Sequence, residues 1–428
     1  MSQTRKMGFA SVFLLGINSI IGSGIFLLPG ELYKAVGRFS PYLILLAAAS
    51  SIPIILCYAK MAATYTETGG AWFYAYEAFG RYPGFQIGIF SWLLGVITLA
   101  AEIAAFINIA SVLWPVLKTP SAYMITSIVL ILLLLLINLI GEKATQLADN
   151  ISSAMKILML ALFIGVGLVV LHFSGQSGSV APSGTDVNGG FSTAFYMFSG
   201  FAFLPTVASD MQNPGRDIPR ALLAVILTVA GIYFLVQWLT ISQLGAGVMN
   251  QASPVVAAFE QLVGPLGKQI MTLGVMVSIL GVTISTSFNT PFVASSLASE
   301  EHLLPAFFGK QTKSGTPWVA VLITHIVAVL LLLSRDYLFL VSCVVMVSLI
   351  QYVTTSAAAF KYQKPQSKYT LPGGKMIPVI SLIVCVYLFA GLKLNAILLG
   401  VGIFILSILL YWADKRYGTP RELNHTTK

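Results

Sequence analysis

The stretch Asn18-Ser19-Ile20-Ile21-Gly22-Ser23-Gly24-Ile25-Phe26-Leu27-Leu28-Pro29-Gly30 lies inside a long apolar run yet resists being read as a plain helix. Glycine costs about 1 kcal/mol per helical position relative to alanine. Irregular backbone at membrane depth survives only where it lines a cavity or is buried in protein. A second stretch has the same character: Tyr196-Met197-Phe198-Ser199-Gly200-Phe201-Ala202-Phe203-Leu204-Pro205. Gly22-Ser23-Gly24 taken alone favours close packing of two helices, as small residues often allow in membranes. The second interruption shifts the balance toward a functional break.

The surroundings make membrane depth the right frame. The chain has 428 residues, 57% of them hydrophobic and 9% charged, with a mean hydropathy of +0.86. Soluble proteins carry about 25% charged residues, so a soluble enzyme, a nucleic-acid binder and a secreted scaffold are excluded. A span needs about 20 mostly apolar residues. Twelve candidates follow at 9–36, 41–64, 84–114, 121–140, 150–173, 191–209, 219–243, 266–298, 316–334, 337–360, 376–392 and 395–412. The apolar start imitates a signal peptide but runs to about Pro29 without a small-residue cleavage signature, so it is expected to be a retained first span. The expectation is a single all-α, polytopic membrane domain.

Basic residues favour cytoplasmic loops. With the N-terminus inside, seventeen Lys and Arg fall in inside segments and six outside, with Lys156 left within a span. Both termini are therefore expected in the cytoplasm, and the net charge of +9 reflects topology rather than nucleic-acid binding. Short loops and tails suggest a bacterial inner or plasma membrane. Cys57, Cys343 and Cys385 and the four histidines are scattered, without the spacing of a disulfide framework or a metal site. No cofactor and no metal are expected.

The two interrupted spans, first and sixth, are five apart and so cross in opposite directions. Interrupted helices at matching places in two halves point to an inverted-repeat transporter with a midplane site. A broken helix exposes N–H groups at the start of its second half, with about +0.5 charge, which suits a carboxylate. Carbonyls freed at the other side suit an ammonium. The pair makes a receptor for the zwitterionic head of an amino acid.

Several motifs resemble the amino acid–polyamine–organocation (APC) superfamily of permeases. Gly22-Ser23-Gly24-Ile25-Phe26-Leu27-Leu28-Pro29-Gly30 resembles the family's first-span signature. Thr68-Gly69-Gly70-Ala71-Trp72-Phe73-Tyr74 and Glu77-Ala78-Phe79-Gly80 resemble the loop after span two. Asn213-Pro214-Gly215-Arg216-Asp217-Ile218-Pro219-Arg220-Ala221 resembles the segment closing span six, and Leu304-Pro305 with Gly315-Thr316-Pro317 the connection after span eight.

The resemblance implies a LeuT-like fold working by alternating access. Its first inverted repeat would be 1–173 and its second 191–360, followed by two peripheral helices at 376–412 and a cytoplasmic tail at 413–428. It implies that Gly22, Ser23 and Gly24 meet the substrate carboxylate and that the carbonyls of Ile20 and Ser199, beside Gly200, take the ammonium. Tyr196 falls where members place an aromatic that closes over the substrate. Departures are Ser209-Asp210-Met211-Gln212 before the Asn-Pro of span six, Phe292 at a place often held by arginine, and Ala202 at a place acidic in some members that handle cationic substrates. Ala202 favours small or medium neutral amino acids.

Two ionisable residues sit well inside spans, Lys156 and Glu102, and a charge at the bilayer centre costs about 2.5–3.5 kcal/mol on insertion scales. Lys156 could snorkel to the interface. It could instead gain and lose a proton, its ammonium standing where sodium-coupled relatives hold an ion, as a strut between spans one and eight. Glu102 has three readings: it binds a polar part of the substrate, carries the coupling proton, or bonds a neighbouring helix as a protonated carboxyl. Trp92, Trp114, Trp238 and Trp412 are expected to pack or to sit at interfaces, and Ser253–Gly264 to form a short external helix, gate or connector.

The expected function is proton-coupled, sodium-independent transport of an amino acid, with the lipid bilayer, the substrate and H+ as partners and a monomer or homodimer as the assembly. An exchanger (antiporter) or exporter on the same fold is the alternative to a symporter, and a non-transporting amino-acid sensor is a remote one. No clustered catalytic constellation lies at membrane depth, so an enzyme is not expected.

Overall fold

The structure, a computed structural model, describes residues 6–65, 69–140, 142–174, 186–299, 303–312, 315–362 and 369–417. Thr68 lies outside the described residues, as do Arg5, Lys313, Lys364, Lys368, Arg421 and Lys428, six of the seventeen basic residues counted inside, and the tail beyond 417.

In chain order the helices are α1 (Phe9–Ile20), α2 (Gly24–Leu27), α3 (Pro29–Val36), α4 (Ser40–Thr64), α5 (Ala71–Phe79), α6 (Arg81–Ala110), α7 (Pro120–Ile140) and α8 (Glu142–Ser174). They continue with α9 (Val187–Tyr196), α10 (Pro214–Leu244), α11 (Pro254–Val263), α12 (Pro265–Ser299), α13 (Trp318–Leu332), α14 (Tyr337–Lys361), α15 (Met376–Ala390) and α16 (Leu394–Tyr417). A stretch of tighter 3-10 helix, Ser199–Asp210, follows α9. The only extended pairing among the described residues is a single bridge, Met7 with Met211.

Proline and aspartate punctuate this series. Pro29, Pro120, Pro214, Pro254 and Pro265 are first residues of their helices, where the missing N–H costs nothing. The Asp186 carboxylate accepts from Gly189 N at 2.9 Å and caps α9, and Asp336 accepts from Phe339 N at 3.1 Å and caps α14. Each satisfies an N–H that the first turn leaves without a partner.

Among the described residues, eight helices are long and apolar enough to cross a bilayer: α4, α6, α7, α8, α10, α12, α14 and α16. They correspond to spans two, three, four, five, seven, eight, ten and twelve of the sequence reading. The remaining four candidates are built differently. Spans one and six are interrupted, and spans nine and eleven are the fifteen-residue helices α13 and α15. The helix expected at Ser253–Gly264 is α11.

α6 lies at the centre, with α12 and α14 packed against it, α8 against α12 and α4 against α10. α7 and α16 are peripheral and leave Leu132, Leu133, Leu136 and Leu409 exposed, apolar surface that lipid covers. Trp92 is buried and its indole donates to Thr324 Oγ1 at 2.9 Å, whereas Trp114 and Trp412 are exposed. The chain is an all-helical, polytopic membrane protein.

Candidate functional site

The first span departs from helical geometry where its sequence says it should. After Ile20 the backbone turns extended at Ile21 (φ −76°, ψ 95°). Helical bonding resumes only when Phe26 N and Leu27 N donate to Ser23 O and Leu28 N donates to Gly24 O. The N–H of Ser23 thereby stands free of helix partners at the start of the second half.

That position is already filled. Glu102, on α6 and 3% exposed, brings Oε1 to 3.0 Å from Ser23 Oγ and 3.4 Å from Ser23 N. Gly22 makes room for it: a Cβ there would stand 2.9 Å from Glu102 Oε1. The Ser23 hydroxyl also shares a 3.1 Å hydrogen bond with Tyr337 Oη of α14. Glu102 Oε2 is buried and has no partner among the described residues. Of the three readings of Glu102, the observed bonding is to the broken helix itself.

Sixth-span geometry explains Gly200. A Cβ on Gly200 would overlap the carbonyl oxygen of Ser19, so the two interrupted spans cross backbone to backbone at this point. Ile20 O accepts from Tyr233 Oη at 3.2 Å, and Ser199 O accepts from Tyr352 Oη at 3.4 Å. A carbonyl oxygen carries two lone pairs, so each keeps one acceptor position beyond its tyrosine. Phe201 stacks on the Tyr352 ring at 5.3 Å and holds that tyrosine in place.

Lys156 does not snorkel. It is 1% exposed, and its ammonium donates to Asn18 Oδ1 at 2.7 Å and Asn18 O at 3.2 Å. Asn18 Nδ2 in turn donates to both carboxylate oxygens of Asp149, each at 3.1 Å. α8 and α12 are joined nearby by Ser152 Oγ donating to Ser278 O at 2.6 Å.

Ile20, Gly22, Ser23, Gly24, Tyr196, Ser199, Gly200 and Glu102 all border one cavity of about 930 Å³; Lys156 stands behind its wall, reached through Asn18. The cavity extends from these residues to the end of the bundle that carries Gly69, Asp149 and Gln311, and Ala202, Phe203 and Phe292 supply apolar wall. Among the described residues no group of three or more His, Cys, Asp or Glu could hold a metal ion.

Sequence reasoning missed Asn18, Asp149, Tyr233, Tyr337 and Tyr352. Asp149 carried a signal: it is polar and falls seven positions before Lys156, on the same helical face; Asn18 stood in the stretch of the first break but was given no role. The tyrosines carried none, because an aromatic within a span is ordinary packing material.

Comparison with known proteins follows from this geometry. The family model described as "Amino acid permease" matches residues 7–413. An uncharacterised transporter of Mycobacterium tuberculosis (strain ATCC 25618 / H37Rv) is 28% identical over 435 residues, covering 93% of this chain and 90% of the relative. The human large neutral amino acids transporter small subunit 2 is 26% identical over 439 residues, covering 96% of this chain and 81% of the relative. A broken first span bordering a cavity inside the bundle, and a match over nearly the full length, agree: the chain belongs to the amino acid permease family of the APC superfamily, a family of amino-acid transporters and not of enzymes.

Proposed function

We propose that this permease is a proton-coupled, sodium-independent symporter for neutral amino acids. It has twelve spans arranged as LeuT-like inverted repeats, 1–173 and 191–360, with peripheral helices at 376–412 and both termini in the cytoplasm. The observation that carries the reading is the placement of two ionisable side chains on the broken first span: Lys156 on the carbonyl side at Asn18, and Glu102 on the N–H side at Ser23.

A resident ammonium on α1 does the structural work of a bound sodium ion, which makes an external sodium ion unnecessary. Glu102 supplies the proton link. Its carboxylate stands where the substrate carboxylate is to bind, and two anions on the same N–H group repel. Substrate entry therefore goes with protonation of Glu102, or with its withdrawal from Ser23. The substrate ammonium then takes the second lone pairs of Ile20 O and Ser199 O, and Tyr196 covers it.

Neutral side chains are favoured by Ala202, Phe203 and Phe292 on the cavity wall and by the name of the human relative, a transporter of large neutral amino acids. The cavity reaches Gly69, Asp149 and Gln311, beside the loops assigned here to the cytoplasm, which supports an inward-facing reading.

The first experiment is a thermal-shift screen of purified protein against the twenty amino acids, a set of amines, and matched compounds lacking the carboxylate. A ligand bound only by the folded state raises its apparent stability by mass action. Stabilisation by neutral amino acids that vanishes without the carboxylate supports the head-group assignment. Stabilisation by amines alone overturns it and makes Glu102 the substrate's direct counter-ion. Proteoliposomes then test coupling: an inward proton gradient without sodium or internal substrate must drive accumulation, whereas flux that requires a preloaded counter-substrate identifies an exchanger.

A further inference from the structure

Asp149 and Lys156 are seven residues apart on α8, two turns along one face and about 10 Å by helical rise. That separation is too long for a direct ion pair, and the side chain of Asn18 fills it. Its Nδ2 points to the Asp149 carboxylate and its Oδ1 to the Lys156 ammonium. An amide between an anion and a cation has one favourable orientation. Reversing it would put Oδ1 against the carboxylate and Nδ2 against the ammonium, a repulsion at both ends.

We infer that Asp149 is a positioning residue: it sets the orientation of the Asn18 amide and so makes Asn18 the acceptor that ties the inner half of the first span, α1, to Lys156 on α8. Bonds between ionised and polar groups are the stronger class of hydrogen bond, and here two of them hold the same side chain from opposite sides. The charged groups facing Lys156 are Glu102 from α6 and Asp149 from its own helix; α1 contributes Asn18, and α12 is joined to α8 one turn before Lys156, where Ser152 Oγ donates to Ser278 O. Asp149 is half-buried and borders the cavity, so the anchor stands at the cavity wall. For α1 to swing away from α8, this chain of three side chains must come apart.

The inference builds on the placement of Lys156 in the proposed function, and its test is chosen to need no substrate. Phe9 and Leu147 are 43% and 63% exposed, so cysteines there accept spin labels, while Cys57, Cys343 and Cys385 are buried. In the full chain in lipid nanodiscs, the label pair should report one short α1–α8 distance. Asp149→Asn should add a second, longer population, Asn18→Ala should add the same one, and the double variant should show no more of it than Asn18→Ala alone. An unchanged distance in Asp149→Asn overturns the inference, as does an effect of Asp149→Asn that persists in full on the Asn18→Ala background. Asp149→Ser serves the same comparison should the Asn variant not purify. If the amino-acid reading fails in the thermal-shift screen while the distances behave as stated, the tether stands without it.

Discussion

Gly200 faces the carbonyl oxygen of Ser19 with no space for even a methyl group between them. The crossing of the two interrupted spans is therefore fixed by backbone, and the carbonyls around it are aimed by that contact. Gly200→Ala should force the spans apart at a cost of about 1–3 kcal/mol, as overpacking does. A lowered melting temperature together with weakened amino-acid binding is the expected result, read by thermal unfolding with and without ligand. An alanine variant that melts and binds as wild type would mean that the spans separate freely here.

Ser23→Leu removes a hydroxyl that bonds Glu102 and Tyr337 and puts an apolar branch where a carboxylate has to sit. Hydrogen bonds to charged groups contribute about 1.5–3 kcal/mol, which is roughly 10- to 100-fold in affinity, before steric exclusion is counted. Binding should fall below detection in a titration followed by intrinsic fluorescence or calorimetry. Wild-type affinity in this variant would contradict the head-group assignment.

Glu102→Gln keeps an acceptor oxygen for Ser23 but cannot carry a proton. Exchange of substrate across proteoliposomes at equal pH should persist, whereas accumulation driven by a proton gradient should be lost. A variant that still accumulates substrate against its gradient would remove Glu102 from the coupling step.

Lys156→Ala leaves the Asn18 carbonyl groups facing a void at a site 1% exposed. Transport should be lost or become independent of pH, measured as initial rates over several pH values with protein yield and monodispersity as controls. Unchanged rates and an unchanged profile would show that the ammonium is a passive filler.

The sequence made the interrupted spans legible because glycine and proline declare backbone irregularity locally: Gly22-Ser23-Gly24 and the Ser199–Pro205 stretch needed no tertiary information. Lys156 and Glu102 were visible for a similar reason, since charge inside an apolar run is conspicuous. Their partners were not. Tyr337 reaches Ser23 from 314 residues away in sequence, and Tyr352 reaches Ser199 from 153 away; such pairings are set by how helices pack, which periodicity leaves open. Asp149 was hidden by a boundary, because a carboxylate one residue outside an apolar run looks like a loop residue until the helix is seen to begin at Glu142.

The contact between Glu102 and Ser23 bears on the half of the cycle in which nothing is carried. A buried donor left without a partner costs about 1–3 kcal/mol, and an occluded carrier that has released its cargo would strand the N–H and hydroxyl of Ser23. Here a resident side chain covers those groups, with Glu102 Oε1 on the Ser23 N–H and hydroxyl. On the proposed symport reading, that cover favours an unloaded return, so transport needs no second molecule given up in exchange.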